Sequence, residues 1–344
     1  MLKKIKPRLT EILPTSMFVK KSSAKSSLSD SVLFVHIAKT AGTSFKKSIA
    51  NFESVLCDYG PLSVETSAPI QNTVYRQADI FSFKRQFDQN NSWLIGHFNL
   101  ARYINFVDSS RVITFVRHPL SQVVSHYNHY KKNHGYHQEL EDFIVTPSFK
   151  NLQSNMLDGI PVGLIGNIGI TENFHQSLEL INTDLNIDLI EYRSNINKNK
   201  TVEEKSLSKA HTELILKHNA KDMILYHRAL SIHNQRVQHR QLGKPWVYSH
   251  TALSPYDHNL IVGAAYTTTQ EPVTLCLLKN NQVIDTQIAN RLYQQQPRVK
   301  FHREGYIGFQ FNIPKNSHED DRFDVIAQQT QQKLNFEPFY KMTK

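Results

Sequence analysis

The chain has 344 residues and a formal net charge of +10, and 40% of its residues are hydrophobic. This length accommodates about two domains, and the hydrophobic fraction supports a packed core and excludes global disorder. The positive charge favours anionic partners: nucleic acid, a membrane surface, a phosphorylated cofactor or an acidic polysaccharide. The two cysteines, Cys57 and Cys276, are far apart. They therefore exclude a disulfide framework and a zinc-type cysteine pair, and they fit a reducing compartment.

Residues 1–29 form a basic segment that Pro7 and Pro14 interrupt. The segment has neither the apolar centre of a signal peptide nor the run of about 20 apolar residues that a membrane span requires. We expect a flexible lead-in and a cytoplasmic protein. A weak attraction of its lysines to anionic lipid at the inner membrane is the alternative.

The first strong strand signal is the apolar run Ser31–Ile37. Its β-branched residues are typical of a strand that is buried on both faces of a parallel sheet. A loop follows over residues 38–44, and residues from Phe45 onward have helical spacing. Thr43 or Ser44 is expected to cap this helix. The predicted unit is strand, tight loop and helix.

Two further strands are predicted at Ser92–His97 and Arg111–Val116. A helix is expected from about residue 120 to 132, with a proline suited to its first turn. Between residues 171 and 240 apolar residues recur mostly at helical spacing. Strands that alternate with helices predict an α/β domain over residues 30–245, with a P-loop-like parallel sheet flanked by helices.

Beyond Pro245, short strand-like runs replace the helical pattern. These runs are Asn259–Tyr266, Val273–Leu278, Gln282–Ile288 and Tyr306–Ile313. The segment Lys279–Asn281 is expected to form a hairpin turn between two of them. Short strands at regular spacing predict a small β-sandwich-like domain over residues 250–315, and a polar C-terminal tail over residues 316–344.

The loop Lys39-Thr-Ala-Gly-Thr-Ser44 joins the first strand to its helix. Backbone N–H groups at a helix N-terminus bind anions, Gly42 permits a close approach, and hydroxyl groups add donors. The loop is not a Walker A motif, because its lysine precedes its glycine, so magnesium–nucleotide kinase chemistry is not indicated. By itself the loop also fits an ordinary connection between a strand and a helix.

Arg117 and Ser125 form a second candidate element, eight residues apart across the start of a helix. An arginine at a strand end and a serine about two turns into the next helix are placed to bind one phosphate. Alone, they also fit a structural arginine and an exposed serine. Both elements follow predicted strands, and ligands of open α/β sheets bind at the carboxyl ends of the strands. Together they indicate a phosphorylated ligand more specifically than either does alone.

At these residues the sequence resembles a known family. His36–Phe45 resembles the 5′-phosphosulfate loop of carbohydrate sulfotransferases, in particular the group related to heparan sulfate and uronyl 2-O-sulfotransferases. Val116–Tyr127 resembles their 3′-phosphate motif, and Ile165–Glu172 and Tyr192–Lys200 resemble later parts of the same domain. The resemblance covers roughly residues 30–240. It implies the sulfotransferase fold, with 3′-phosphoadenosine 5′-phosphosulfate (PAPS) as the sulfuryl donor and no metal ion.

The resemblance also implies which residues contact PAPS. The residues at its 5′ end are Lys39, Thr40, Ala41, Gly42, Thr43 and Ser44, and those at its 3′-phosphate are Arg117 and Ser125. Lys39 is expected to act in catalysis by reaching the oxygen that bridges phosphorus and sulfur. The family often has proline where Ala38 stands and aspartate where His118 stands, and neither departure replaces a phosphate-contacting group.

His97 is the expected general base. It ends a predicted strand, and a histidine accepts a proton near neutral pH. The 2-O-sulfotransferases have a His-Gly-His sequence at this place, and His97 matches its second histidine. Ile95 stands where the first one would be, so a mechanism with that pair of histidines is not expected. His36 is the reserve candidate, with packing beneath the loop as its alternative role.

Four further histidines cluster near the end of the predicted helix: His126, His129, His134 and His137. A metal site, a solvated helix end and an acceptor groove in which tyrosines stack on sugar rings all fit this pattern. The basic loop Lys198–Lys200 fits either closure over the cofactor, as the resemblance suggests, or a solvated charge run.

The sequence thus predicts a sulfotransferase that transfers a sulfuryl group from PAPS to a carbohydrate hydroxyl, on a polysaccharide or a glycolipid. A protein tyrosine, a lipid or a small molecule is the alternative acceptor, and an inactive nucleotide- or glycan-binding scaffold is the alternative without catalysis. Nucleic acid is not the expected partner, because the lysines are spread along the chain. For the β-rich region, glycan binding, scaffolding and dimerisation stay open, and so does a homo-oligomer.

Overall fold

The structure is a computed structural model that describes residues 31–50, 52, 54–90, 92–192, 201–293 and 299–341. The predicted N-terminal lead-in and the Lys198–Lys200 loop lie outside the described residues. None of the helices in the described ranges combines the length and the apolar composition that crossing a lipid bilayer requires.

The elements of the first part of the described chain alternate between strands and helices. They are β1 (Val32–Val35), α1 (Gly42–Ser48), β2 (Val55–Asp58), α2 (Ala68–Ile70, continued by a π-helical segment Gln71–Arg76), α3 (Ile80–Gln89), β3 (Trp93–Gly96), β4 (Val112–Val116), α4 (Pro119–Asn133), α5 (Leu140–Val145), α6 (Leu152–Met156), β5 (Asn167–Ile170), α7 (Phe174–Leu185), α8 (Lys209–His218) and α9 (Ala220–Gln241).

The second part consists of strands, apart from one short 3-10 helical segment at His302–Gly305 among the described residues. The strands are β6 (Tyr248–Leu253), β7 (Leu260–Tyr266), β8 (Thr274–Lys279), β9 (Gln282–Ile288), β10 (Arg291–Leu292), β11 (Tyr306–Asn312) and β12 (Phe323–Ala327).

Within the described residues, five strands form a parallel sheet in the order β2-β3-β1-β4-β5. The predictions of β1, β3, β4 and the helix α4 are confirmed. The sequence signals for β2 and β5 are weaker. β2 is only partly buried along three of its four residues, and β5 contains Asn167 and Gly169. The predicted α/β fold, a parallel sheet flanked by helices, is confirmed.

Alternate residues of each strand face two different layers, as the two-residue period of a strand requires. In β1, Leu33 and Val35 pack in a core with residues of α3, α9 and the C-terminal β-rich region. Val32 and Phe34 pack on the other face with residues of α1 and α7. All four side chains are buried. Burial on both faces explains why the strand is apolar without alternation.

The C-terminal β-rich region has two antiparallel sheets. Among the described residues, one has the order β10-β11-β7-β6 and the other the order β12-β8-β9. Residues of β7 and β11 share a core with residues of β8 and β12, so the sheets pack face to face like the predicted β-sandwich. Asn280 and Asn281 form the two-residue turn between β8 and β9 with φ of 49° and 67°. Such positive φ values are what a hairpin turn of this length requires.

The end of the chain differs from the polar tail that its composition predicts. Strand β12 pairs antiparallel with β8, and its residues Phe323 and Val325 are fully buried. Leu334 packs in the same core, and Phe339 lies against it. A few apolar residues among many polar ones gave too weak a strand signal, because the pattern of a single short edge strand is easily hidden.

The β-rich region also shares a core with the parallel sheet. The Tyr266 hydroxyl donates a hydrogen bond to the Leu164 carbonyl at 3.0 Å and lies 2.8 Å from the Ser109 hydroxyl. The imidazole of His302 lies 3.1 Å from the carboxylate of Asp108, and both side chains are buried. These contacts join the two regions through buried polar groups as well as through apolar packing.

We expect Phe323→Ala to lower the free energy of unfolding by about 3–5 kcal/mol, the usual cost of removing a buried phenylalanine side chain. Urea denaturation of the variant and of the parent protein measures this difference. Tyr340→Ala is the control, because Tyr340 lies in the same part of the chain but is 49% exposed. It should change stability by about 0.5 kcal/mol or less. If Phe323→Ala were as stable as the parent, β12 would not belong to the core.

Candidate functional site

The strand order places five chain segments side by side at the carboxyl edge of the parallel sheet. The segments that follow β2, β3, β1, β4 and β5 begin at Tyr59, His97, His36, Arg117 and Thr171. Ligands of open α/β sheets bind at this edge. Because β1 is central, the loop that follows it lies between the segment with His97 and the segment with Arg117.

Two residues of this loop have left-handed backbone conformations. Lys39 and Ala41 have φ of 67° and 69°, in the left-handed region that residues with a side chain seldom adopt. The buried Thr40 between them donates its hydroxyl hydrogen to the Ile37 carbonyl at 3.0 Å. Left-handed residues are typical of nests, in which backbone N–H groups form a concave site for an anion. The backbone of the loop therefore suits an anionic ligand.

Helix α1 begins earlier than the sequence suggests. Ala41 occupies the N-cap position and Gly42 begins the helix, so the prediction that Thr43 or Ser44 caps it is wrong. Thr43 is exposed in the first turn, whereas Ser44 is buried. The first-turn N–H groups of a helix have no partner within it. The Thr40 hydroxyl and the Ser44 N–H already donate to the Ile37 and Ala41 carbonyls, so we expect the other backbone N–H groups of the loop to be the donors for an anion.

Gly42 packs directly against the ring of His36. A Cβ atom at Gly42 would lie 1.9 Å from Cδ2 and 2.3 Å from Nε2 of His36, distances at which atoms overlap. His36 is 7% exposed, and its Nδ1 lies 3.1 Å from the Tyr59 hydroxyl. The packing of His36 beneath the loop is thus observed, and it explains why position 42 has no room for a side chain.

A buried glutamine fixes the backbone of Arg117. Oε1 of Gln153 accepts a hydrogen bond from the Arg117 N–H, and Nε2 of Gln153 donates one to the Arg117 carbonyl, both at 2.9 Å. The carboxylate of Asp222 in turn accepts a hydrogen bond from the Gln153 N–H at 3.1 Å. Held in this way, the guanidinium of Arg117 donates to the Lys39 carbonyl at 3.3 Å. The structure therefore brings the second candidate element to the first.

Helix α4 also contacts the loop. The side chain of Gln122 is buried and donates a hydrogen bond from Nε2 to the Ala38 carbonyl at 3.0 Å. Ser125 is partly exposed and lies one helical turn beyond Gln122. Residues three apart in a helix are neighbours on its surface. The contact of Ser125 with a phosphate stays a prediction.

The two cations of this edge are partly buried without acidic partners. Neither Lys39 nor Arg117 forms an ion pair with a carboxylate in the part of the chain that the structure describes. Burial, together with the charge of Arg117, lowers the pKa of Lys39. Burial also lowers the pKa of Arg117, while Glu172 and Glu204 act in the opposite direction. An anion bound between these two cations would add electrostatic stabilisation to both of them.

His97 lies beside the loop with one ring nitrogen already engaged. Its Nδ1 contacts the backbone carbonyl of His36, and because a carbonyl only accepts, Nδ1 carries the proton. Nε2 of the neutral ring is then the proton acceptor. The side chain of His97 is exposed to solvent, yet desolvation by the surrounding protein lowers its pKa, while the hydrogen bond to His36 raises it. The neutral, basic form is therefore favoured at neutral pH.

The backbone of His97 is held by the end of β2. Its N–H donates to the Asp58 carbonyl at 2.9 Å, and Gly96 is so close that a Cβ atom there would lie 1.8 Å from the same oxygen. The buried carboxylate of Asp58 accepts hydrogen bonds from the hydroxyls of Tyr75 and Tyr103 at 2.7 and 2.8 Å. Sequence reasoning missed this support, because it did not recognise β2. The acid at the end of the short apolar run Val55–Asp58 was the available signal.

The histidines of α4 do not form a metal site. In the described ranges no group of three or more histidine, cysteine, aspartate or glutamate side chains is arranged to hold a metal ion. His126 is buried and packs edge-on against the rings of Tyr130, Phe143 and Phe149. His129 is partly exposed. The packing of His126 among aromatic rings is not one of the three roles that the sequence suggests. An acceptor groove stays a prediction for the exposed histidines of the cluster.

Comparisons with known proteins find a distant structural similarity to solved structures. No protein-family model matches the sequence, and a search of curated proteins gives no match. A sulfotransferase from Alicyclobacillus acidocaldarius is 14% identical with a TM-score of 0.33, over 56% of this chain and 93% of that chain. The mouse sulfotransferase SULT7A1 complexed with PAP is 12% identical with a TM-score of 0.36, over 58% of this chain and 90% of that chain. Similarity at this level does not assign an activity, so the functional argument depends on the site residues.

We expect Gly42→Ala to destabilise the protein by about 1–3 kcal/mol, the usual cost of overpacking a tight contact. The added methyl group would collide with the His36 ring, so the cost should shrink when the ring is absent, in the double variant with His36→Ala. Urea denaturation of the parent, the two single variants and the double variant measures this coupling. An equal cost of Gly42→Ala in both backgrounds would contradict the contact.

Proposed function

We propose that this protein transfers a sulfuryl group from PAPS to a carbohydrate hydroxyl. The observation that carries the proposal is the pairing of Lys39 with Arg117 at adjacent strand ends, joined at 3.3 Å through the Lys39 carbonyl and without acidic partners among the described residues. Beside them lies His97, whose Nε2 is left to accept a proton. Two partly buried cations without a direct carboxylate partner among the described residues, together with a neutral base, suit the transfer of an anionic group to a hydroxyl.

The residues fit the two anionic ends of PAPS. The loop after β1 offers backbone N–H groups and Lys39 for the phosphosulfate end. Arg117 has further N–H groups beyond the one on the Lys39 carbonyl, and together with Ser125 it is our candidate for binding the 3′-phosphate. Binding at both ends would orient the donor along the carboxyl edge of the sheet. His97, Lys39, Thr40, Ala41, Gly42, Thr43, Ser44, Arg117 and Ser125 remain the proposed site residues.

The chemistry resembles phosphoryl transfer, in which positioning and electrostatics supply most of the catalysis. PAPS supplies the activated sulfur and a phosphate leaving group. Nε2 of His97 accepts the proton of the attacking hydroxyl as the new oxygen–sulfur bond forms. Lys39 stabilises the charge that grows on the phosphate oxygen as its bond to sulfur breaks. Because a sulfuryl group carries less charge than a phosphoryl group, these cations take the place that magnesium has in kinases.

The carbohydrate acceptor rests on the family resemblance of the two phosphate motifs. A transfer assay with radiolabelled PAPS against polysaccharides, glycolipids, tyrosine peptides and small phenols tests it, with the product mapped by mass spectrometry. Transfer to a saccharide supports the proposal. Transfer only to a peptide or a phenol would replace the acceptor class, and binding of the nucleotide without any transfer would favour a scaffold.

Lys39→Ala and Arg117→Ala should each weaken the binding of 3′-phosphoadenosine 5′-phosphate (PAP), measured by isothermal titration calorimetry. Removal of one charge-assisted contact costs about 1.5–3 kcal/mol, or about 10- to 150-fold in the dissociation constant. Arg117→Lys should recover only part of the loss, because lysine lacks the planar fork of arginine. Lys209→Ala, at a side chain that is 92% exposed, is the charge-matched control. Unchanged PAP affinity in the Lys39 and Arg117 variants would contradict the donor site.

His97→Ala should still bind PAP but lose transfer by about 10²–10⁴-fold, the range for a general base. In the parent protein the transfer rate should fall as pH decreases through the pKa of His97, because a protonated imidazole cannot accept a proton. Burial lowers this pKa, so the midpoint should lie below the ordinary 6.5, with a plateau at neutral pH. His175→Ala, an exposed histidine on α7, is the control. Near-normal transfer by His97→Ala would assign the base elsewhere.

A further inference from the structure

A second histidine contacts both parts of the candidate site. The ring of His36 packs against Gly42 of the loop on one side. On the other side its centroid lies 4.4 Å from that of the His97 ring, with the planes inclined by 43°. The backbone carbonyl of the same residue contacts Nδ1 of His97. His36 therefore touches His97 twice, once through its ring and once through its main chain.

His36 is unsuited to act as the base itself. Its ring is enclosed by Gly42, His97 and the Tyr59 hydroxyl, which leaves it 7% exposed. Burial, followed by the electrostatic effects of His97, Lys46 and Lys39, lowers the pKa of His36 to about 3. Burial raises the pKa of Tyr59, so its hydroxyl stays protonated and can donate to Nδ1 of His36. The ring of His36 is a neutral, fixed surface.

We infer that His36 is a positioning residue that holds the His97 imidazole with Nε2 directed away from the sheet and ready to accept a proton. The inference rests on the proposed function for its catalytic meaning. The carbonyl of His36 selects the tautomer of His97, and the ring limits rotation of the His97 side chain. Tyr59 packs edge-on against both imidazoles, at 5.8 and 4.9 Å between centroids, and completes the support.

The neutrality of His36 matters to the transfer step. When Nε2 of His97 accepts the proton of the acceptor hydroxyl, a positive charge forms 4.4 Å from the His36 ring. A protonated His36 would oppose that charge, whereas a neutral aromatic face does not. The second histidine of this site thus comes from the end of β1. In β3, the position two residues before His97 is occupied by the buried Ile95.

Nitrogen NMR of protein labelled with ¹⁵N-histidine tests the positioning directly and requires neither donor nor acceptor. In the parent protein His97, identified by the signals lost in His97→Asn, should show a protonated Nδ1 and an unprotonated Nε2. His36→Ala keeps the main-chain carbonyl but removes the ring that limits rotation of His97, so His97 should leave the carbonyl part of the time, show a mixture of tautomers and titrate closer to the ordinary 6.5. His318→Ala, at an exposed side chain, is the control and should leave His97 unchanged. An unchanged tautomer and titration of His97 in His36→Ala would overturn the inference.

The pKa of His97 also depends on the other ionisable groups around its ring, so these groups must be the same in the proteins that are compared. Among the described residues, those that influence His97 or are influenced by it are His36 after β1, Lys46 on α1, Tyr59 and Glu65 after β2, and His126 and His129 on α4. All of them remain in the His318→Ala control, and all but His36 remain in His36→Ala. A shift specific to His36→Ala is therefore caused by loss of this ring.

Two conservative variants separate the ring from its hydrogen bond. His36→Phe keeps an aromatic surface for His97, whereas His36→Asn keeps a polar group for Tyr59 without a ring. Thermal unfolding first confirms that each variant is folded. Retention of the single His97 tautomer by His36→Phe but not by His36→Asn supports the inference. The reverse result would assign the effect to the Tyr59 hydrogen bond and overturn it.

Transfer kinetics then distinguish positioning from independent catalysis. His36→Ala should lower single-turnover transfer by about 10- to 100-fold, as misplacement of a reacting group does. In a His97→Ala background the same change should have almost no further effect, within about twofold. Multiplicative losses would show that His36 acts independently and would overturn the inference. Absence of any transfer by the parent protein would count against the proposed function alone, because the NMR result does not depend on it.

Discussion

The central position of β1 in the parallel sheet is the constraint on which the candidate site depends. Because β1 pairs with β3 on one side and β4 on the other, the segments that follow these strands emerge next to one another. Lys39, His97 and Arg117 are far apart in sequence, yet this pairing alone places them along one edge. The buried side chains of β1 pack in cores on both faces of the sheet, so the site follows a strand that is firmly held.

Neutral glutamine side chains fix the backbone around the two cations of this edge. Gln153 fixes the main chain of Arg117 through two hydrogen bonds, and Gln122 fixes the loop through Ala38. Neither glutamine neutralises a charge. The two cations can therefore still bind an anion, while the hydrogen bonds hold their backbones in place. An acid in place of Gln153 would supply compensation from within the protein and would compete with a ligand. The use of amides at these positions therefore suits a site that binds an anionic group and later releases it.

The sequence predicts those parts of the fold and the site whose pattern lies within one short segment of the chain. Strands such as β1 are found because burial on both faces makes them apolar throughout, and Lys39, His97 and Arg117 are found because each follows such a strand. Strands β2 and β12 are missed, because short, partly polar segments become strands only through their partners. The contact of His36 with His97 spans 61 residues and depends on the register of β1 against β3, which no local pattern encodes. Gln153 is missed for the same reason, since a single buried glutamine carries no motif.

The β-rich region is better understood as one wall of the core than as an appended module. Tyr248, Tyr266 and Ile307 from its first sheet pack in the same core as Leu33 and Val35 of β1. Arg236 of α9 adds an ion pair with Asp184 beneath the Tyr248 ring, in the same buried layer. Removing the region would expose the face of β1 that carries Leu33 and Val35, directly before the loop. Loss of activity on truncation would therefore report damage to this core, and a separate glycan-binding role for the region has to be measured by binding to the intact chain.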